Sequence, residues 1–333
     1  MPTIVFVHLN SQIPRYLHLN LAGMAKLFPA QKIILVHNQN KINLSIPGVI
    51  PFKFEKSQIF LDIEESLSHP KDFRNNFWFT AIGRFEALHQ YMKFSGEKIV
   101  HIESDVILAR DFPFKQFDDL QFDIAFPLVA RNRGVASTLF IRNVESASEL
   151  VNFSLAACQI QPKISDMEIL AKLVSHKDLK ILLLPITNAV ETSFHESNCY
   201  PDLKSLNYGL KKFGGIFDGN DIGVFLYGTN PRNSRGVSTV GQEVIGNFAN
   251  IRLWRFRYNQ SREFIEQISS TKSIPVYSIH ATCKKMSLFW LYSRAITLKR
   301  FHKRKSSVKK IYIDVALSMA VSKFYKLWLR TGK

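Results

Sequence analysis

The chain has 333 residues, 46% hydrophobic and 12% aromatic, with 44 Lys and Arg against 27 Asp and Glu for a net charge of +17. This composition excludes disorder and collagen-like repeats, and the length suits one large α/β domain or two smaller ones with a sizeable buried core. No run reaches the roughly 18 apolar residues of a membrane-spanning helix, and MPTIVFVHLN opens without the basic segment of a secretory signal, so the expected compartment is cytosolic. Cys158, Cys199 and Cys283 are too few and too scattered for a disulfide framework or a paired zinc site.

The β-branched runs Ile4 to Val7 and Lys32 to Val36 predict strands. Between them Leu17, Leu21, Met24 and Leu27 fall at helical spacing, giving a strand, helix, strand unit of the kind that builds a parallel sheet. A second helix is predicted from Asn75 to Phe94 on the stripe Phe77, Ala81, Phe85, Leu88 and Met92, ending at Ser95-Gly96. The run KIVHIESDVIL follows as one apolar strand that surfaces at Glu103-Ser104-Asp105, and the polar end of a buried strand is where α/β sheets place ligands.

Phe122 to Val129 and Ser137 to Asn143 predict two more strands around a turn at Arg131 to Gly134. Helices over Val144 to Ala157 and Asp166 to Val174 come next, then a strand at Leu179 to Pro185. The segment from Ile186 to Ala249, rich in Gly, Asn and Ser, reads as long and irregular. Asn250 to Tyr258 predicts a strand, and PVYSIHATCKK closes the body. From Lys284 to Lys333 there are fourteen Lys and Arg and one acid, Asp314, so +13 of the +17 lies in these 50 residues and only +4 in the rest.

A nearly neutral body argues against a nucleic-acid partner. In the tail, Ile313, Leu317, Ala320, Val321, Phe324, Leu327 and Trp328 gather on one side of a helical wheel, beside the basic cluster Lys299 to Lys305. Such a segment suits an anionic membrane surface, or else a terminal helix docked on the body with a solvated basic face.

Two carboxylates at i and i+2 on a strand end, Glu103 and Asp105, can reach one hard divalent cation, or one can bind a ribose while the other binds the metal, although spacing alone fits a merely solvated strand end as well. Arg84 sits near the apolar stripe of its helix and needs an anion there, either a phosphate or Asp105, or else Glu86 or Asp72 in an ordinary salt bridge. Asp166 and Glu168 open a helix, as a cap and a first-turn acid would. Neither the first βα turn nor Gly214, Gly215, Gly219 and Gly223 match a phosphate-cradling glycine pattern, which speaks against a dehydrogenase or an NTPase.

In order along residues 3 to 285, these elements resemble the GT-A fold glycosyltransferases. ESD resembles their DxD signature, with Glu in the first acidic place. The helix bearing Arg84, twenty-one residues before Asp105, resembles the Arg-bearing helix ahead of DxD, IPRYLHLNL the nucleotide-side loop, and SIHATCKK a late element carrying His and Lys. The resemblance implies a Rossmann-like α/β fold, a mixed and mostly parallel sheet flanked by helices, followed by a basic helical tail. The expected division is a transferase domain over 1–285, with a nucleotide-sugar half (about 1–145) and an acceptor half (146–285), and a tail over 286–333.

The resemblance further implies transfer of a sugar from a nucleotide donor, UDP-linked by expectation, to a glycan or lipid-linked acceptor, with Mn²⁺ or Mg²⁺ as cofactor. Asp105 is then the principal metal ligand and Glu103 a ligand to the metal or the ribose. His280 is a third ligand, unless it is a hydrogen-bonded core histidine, and Lys284 and Arg84 are donor-phosphate contacts. Asp166 would face the sugar or acceptor. Asp218 would be an acceptor-side base, with Asp221 an equal candidate and the turn Asn230 to Asn233 nearby; a cap of a turn would explain Asp218 as well. A sugar nucleotidyltransferase, or a nonenzymatic basic protein binding nucleic acid or membrane through its tail, are the competing readings.

Overall fold

Alternating burial shows how these strands build a sheet covered on both faces. In β1 (Thr3–His8), Val5 faces one apolar cluster while Ile4 and Phe6 face another, and in β2 (Ile33–His37) Ile34 and Val36 separate in the same way from Ile33 and Leu35. Period-two alternation with apolar residues at both phases is the mark of a sheet between two layers of helices. The computed structural model describes residues 1–186 except 10, 11, 41, 43, 72, 74, 75 and 131. It further describes residues 203–223 except 221, together with 255–259, 264–268, 273–281, 284, 286 and 289. Asp221, the turn at 230–233, Cys199, Cys283 and the tail from 290 lie outside the described residues.

The main sheet has eight strands in the order β3 (Val49–Lys53), β2, β1, β4 (Ile99–Ile102), β8 (Thr138–Ile141), β6 (Ile124–Ala130) and β7 (Arg133–Gly134), with β9 (Ile181–Leu184) also paired to β6. Its β3, β2, β1 and β4 are parallel neighbours, and β6 and β9 are parallel to each other. The reversed strand β8 stands between β4 and β6, and β7 folds back on β6. The result is a mixed, mostly parallel α/β sheet flanked by helices. Helix α1 (Arg15–Leu27) covers one face through Leu17, Leu21 and Met24. On the opposite face α3 (Phe77–Ser95) packs Phe85, Leu88 and Met92 against Val5, Ile34 and Ile99. It ends at Gly96 as expected, but Phe77, placed in the buried stripe by its spacing, is 38% exposed.

A second, five-stranded sheet joins β10 (Ile216–Phe217), β13 (Ser273–His280), β12 (Phe264–Ile268) and β11 (Arg255–Asn259), with β5 (Val106–Leu108) antiparallel to β13. Here the structure corrects the sequence expectation of one continuous strand over KIVHIESDVIL. Two strands of different sheets meet there, and Glu103 to Asp105 form the turn between them, closed by Val106 N–H donating to Glu103 O at 3.0 Å. Polar side chains and a reversed backbone break the ladder where the chain leaves one sheet for the other.

Three further differences stand out. Strand β3 and helix α2 (Gln58–Ser66) arise in a stretch that the sequence reading left without elements, and β12 likewise precedes the closing strand. The stretch read as irregular holds α7 (Leu203–Phe213) and β10. Gly209 hides α7 from a composition-based reading yet lets it sit against β9, since a Cβ there would lie 2.9 Å from the Pro185 ring and 3.1 Å from Leu183 O. The two expected halves share both sheets, because β9 pairs with β6 and β13 with β5. Among the described residues no helix is long and apolar enough to cross a membrane.

Candidate active site at the joint between the two sheets

The turn that joins the sheets carries Glu103 and Asp105, and the register of β13 against β5, with His280 opposite Val106, brings a histidine beside them. Ala281 N–H donates to Asp105 O at 2.7 Å and fixes that alignment. The ligand atoms of Glu103, Asp105 and His280 lie within 4.8 Å of one another. His280 Nε2 stands 3.4 Å from Glu103 Oε2 and 3.3 Å from Asp105 Oδ1. Lys284 Nζ lies 3.4 Å from Asp105 Oδ2 and 5.0 Å from the centre of the Tyr16 ring, while Tyr16 Oη is 3.3 Å from Ser104 Oγ. Lys284 holds φ at 50°, a left-handed conformation that costs a lysine energy and is common where a side chain must be aimed.

Arg84 comes from the second turn of α3 and reaches the same joint from the other side. Its guanidinium pairs with Glu103 through one end and with Asp166 through the other, and its Nε donates to Ala81 O at 2.6 Å. The expected partners were a phosphate, Asp105, Glu86 or Asp72. Among the described residues the carboxylates it meets are Glu103 and Asp166, whereas Glu86 accepts from Ser57 Oγ at 2.7 Å and faces His89. Asp166 is not a cap. Ser165 caps α6 (Asp166–Leu173), sharing a reciprocal pair of hydrogen bonds with Glu168, and this leaves Asp166 free to turn inward onto Arg84.

The charges of this cluster set one another. Burial pushes the Asp105 carboxyl up, but the cations His280 and Lys284 overrule it and hold it well below the usual carboxylate range. Glu103 follows the same logic: burial raises it, and Arg84 and then His280 bring it below normal. Burial alone would lower the His280 imidazole, yet the pair with Asp105 lifts it to about 9. Asp105 raises Lys284 in turn, against burial. Burial keeps Asp166 above its ordinary value despite Arg84. With His280 protonated, the cations Arg84, His280 and Lys284 match the anions Glu103, Asp105 and Asp166, so the closed cluster is neutral.

The donor set suits a hard divalent ion such as Mn²⁺ or Mg²⁺: two carboxylates and one imidazole converge, with Lys284 alongside to meet an anionic ligand. Sequence reasoning placed Glu103, Asp105, His280 and Lys284 in one site, and the structure brings all four together. Of the two roles open to it, Asp218 has the cap of a turn rather than the acceptor-side base. It is 1% exposed, and its carboxylate is occupied by backbone amides, so it presents no oxygen to an acceptor hydroxyl.

Sequence reasoning missed Asn20. It is fully buried in α1 and donates to Ser104 O at 3.0 Å and Val106 O at 2.8 Å. The signal was present, since an Asn stood inside the apolar stripe Leu17, Leu21 and Met24.

No family model matches the sequence, and no curated protein matches it. Among solved structures, the chain is similar to the galactosyltransferase LgtC crystallised with donor and acceptor sugar analogs, at 12% identity over 61% of this chain and 81% of that one, with a TM-score of 0.40. It is similar to the glycosyltransferase GlyE of Streptococcus pneumoniae at 13% identity over 91% of this chain and 63% of that one, with a TM-score of 0.42. A third likeness is to the inositol-1-phosphate CTP transferase of T. maritima, at 10% identity over 54% of this chain and 84% of that one, with a TM-score of 0.34.

Proposed function

We propose that the chain is a metal-dependent glycosyltransferase that moves a sugar from a nucleotide donor, in the first instance a UDP-sugar, to a glycan or lipid-linked acceptor. One observation carries the reading: Glu103, Asp105 and His280 converge within 4.8 Å, with the Lys284 ammonium at their edge. A bound Mn²⁺ or Mg²⁺ would supply Lewis-acid stabilisation of the charge that grows on the departing diphosphate. Asp105, already ionised, is the principal ligand, and Glu103 and His280 complete the set.

Lys284 offers its ammonium to the same diphosphate oxygens. Its contribution rises as the bond to the sugar breaks, because the charge it meets is larger then than in the bound donor. Arg84 is assigned to holding Glu103 and Asp166 in place from behind, rather than to touching phosphate itself. Asp166 accepts a sugar hydroxyl with the oxygen that faces away from Arg84. Displacing the His280 proton on loading takes the cluster from neutral to a single negative charge, and a divalent ion then brings it to +1, a sign suited to a diphosphate. The basic tail, read from sequence alone, is assigned to an anionic membrane surface where a lipid-linked acceptor would reside.

The test is a panel of nucleotide sugars screened for Mn²⁺-dependent hydrolysis, with calorimetry of UDP binding to the full chain and to Asp105→Ala. Metal-dependent turnover of one donor and loss of UDP binding in Asp105→Ala are the expected results. Undiminished UDP affinity in a folded Asp105→Ala sinks the site assignment. Pyrophosphate release from a nucleoside triphosphate and a sugar phosphate, without sugar transfer, would replace the reading by a nucleotidyltransferase.

A further inference from the structure

Asp218 spends its whole carboxylate on one turn and one strand. Oδ1 accepts from Asn220 N–H at 2.7 Å and Ile222 N–H at 3.0 Å, and Oδ2 accepts from Gly223 N–H at 2.7 Å and from His280 N–H at 2.9 Å. Three of these donors belong to the turn after β10. The fourth is the candidate metal ligand on β13. The main chain of Asp218 is anchored as well: its N–H lies 3.2 Å from Ser278 Oγ, and its carbonyl accepts from Ser137 Oγ at 2.8 Å.

Gly223 closes the other side of the same residue. A Cβ at that position would stand 1.9 Å from His280 O, so any side chain there would drive the turn off the strand. Asp218 and Gly223 therefore stand against the two backbone polar groups of His280, its N–H and its carbonyl.

The ring itself lacks the support that metal-binding histidines ordinarily have. A ligating imidazole is usually oriented by a hydrogen bond from its second nitrogen to a carboxylate, carbonyl or water. His280 Nδ1 is buried and has no hydrogen-bond partner among the described residues. Among the described residues nothing hydrogen-bonds the ring from behind, so its aim at Glu103 and Asp105 rests on the ion pairs at Nε2 and on the position of its own main chain.

We infer that Asp218 is a positioning residue: by gripping the His280 amide within the turn closed at Gly223, it aims the imidazole at Glu103 and Asp105. The inference rests on the proposed metal site for its functional meaning, while the positioning itself is a property of the metal-free chain.

The experiment uses the full chain, with Mn²⁺ alone as the probe titrated by electron paramagnetic resonance. It adds histidine-ring NMR of the metal-free protein, the His280 signals being those lost in His280→Ala. Asp218→Asn keeps the size of the side chain but replaces one oxygen by a nitrogen that cannot accept from amides. Ser137→Ala is milder: it loosens the turn and leaves every charge in place, so a change in the His280 ring signals of that variant reports position. The expected results are a 10- to 100-fold weaker Mn²⁺ affinity in Asp218→Asn, a smaller loss in Ser137→Ala, and shifted or broadened His280 ring signals in both, with the other histidines unmoved.

If Asp218→Asn fails to fold, Ser137→Ala carries the decision. Unchanged Mn²⁺ affinity together with unchanged His280 ring signals in a folded variant overturns the inference. If the unaltered chain binds no Mn²⁺, the metal reading falls, and the ring signals still decide: displacement in the variants upholds the positioning role, and no displacement ends it.

Discussion

The side-chain amide of Asn20 brackets Asp105, donating to the carbonyl of the residue before it at 3.0 Å and of the residue after it at 2.8 Å. With Asp105 O accepting from Ala281 N–H, the three consecutive carbonyls at 104, 105 and 106 all have partners. The main chain that carries the Asp105 carboxylate is thereby held in place on so short a turn between sheets before any ligand arrives, which serves the pre-organisation of a charged site.

Replacing Asn20 by Leu, which is close in volume, removes both donors and leaves two carbonyls without them. A loss of about 2 to 3 kcal/mol in urea denaturation is expected, with weaker Mn²⁺ binding in the folded fraction. Stability within about 0.5 kcal/mol of the unaltered chain would remove Asn20 from this role, since that is the range of ordinary surface substitutions.

Arg84→Leu leaves Glu103 and Asp166 buried without their shared cation, at a cost of about 3 to 5 kcal/mol at pH 7. The sign of the pH dependence follows. Asp166 loses its cation and Glu103 keeps only His280, so both buried carboxyls favour the neutral form more than before, their folded-state values rise, and the variant recovers stability as pH falls. Denaturation at pH 7 and pH 5 checks this, and a deficit that grows toward pH 5 contradicts the pairing.

The ion pair with Asp105 lifts the His280 imidazole from its ordinary 6.5 to about 9 in the metal-free fold. A raised value means that its contribution is complete below pH 6.5 and disappears as pH climbs through 9, on the order of 1 to 3 kcal/mol. Thermal melts of the metal-free protein should therefore fall across that window, and His280→Gln should flatten the decline. Parallel profiles for both proteins would contradict the ion pair with Asp105.

If the proposed site takes a metal, loading must expel the proton that His280 holds. Mn²⁺ affinity is expected to rise by close to tenfold per pH unit up to about 9, with nearly one proton released per ion. Calorimetry in two buffers of different ionisation enthalpy counts that proton, and a pH-independent affinity would take His280 out of the ligand set.

The tail supplies a prediction that rests on charge alone. With +13 in the last 50 residues, liposome cosedimentation of the full chain should require anionic lipid and weaken with salt, whose screening length is about 8 Å at physiological strength. Equal sedimentation by a Met1 to Lys285 truncation would assign the contact to the body.

Much of the fold was readable in the sequence because period-two and period-3.6 burial mark it directly, as in β1 and α1. The acidic pair was readable because it interrupts an apolar run, whereas His280 and Lys284 were legible only through the resemblance of SIHATCKK to a late element of the GT-A fold glycosyltransferases. What escaped was decided by tertiary geometry. Nothing local says that β4 and β5 belong to different sheets or that Arg84 divides itself between Glu103 and Asp166, and nothing local chooses between the two roles open to Asp218. Gly209 and its neighbours looked like loop because composition cannot tell a flexible glycine from one admitted for close packing.

The pairing of His280 with Val106 also makes the candidate site a ruler. Side chains on a strand alternate between faces, so a slip of β13 by a single residue would turn His280 away and offer Ile279 or Ala281 in its place, abolishing the donor set while conserving almost all of the hydrogen-bonded ladder. A misaligned chain of this kind would keep its secondary structure and much of its burial, and circular dichroism would pass it as native. Capture of a divalent ion by the proposed donor set would not, so on that reading ion binding reports whether two segments some 170 residues apart have met in the correct alignment.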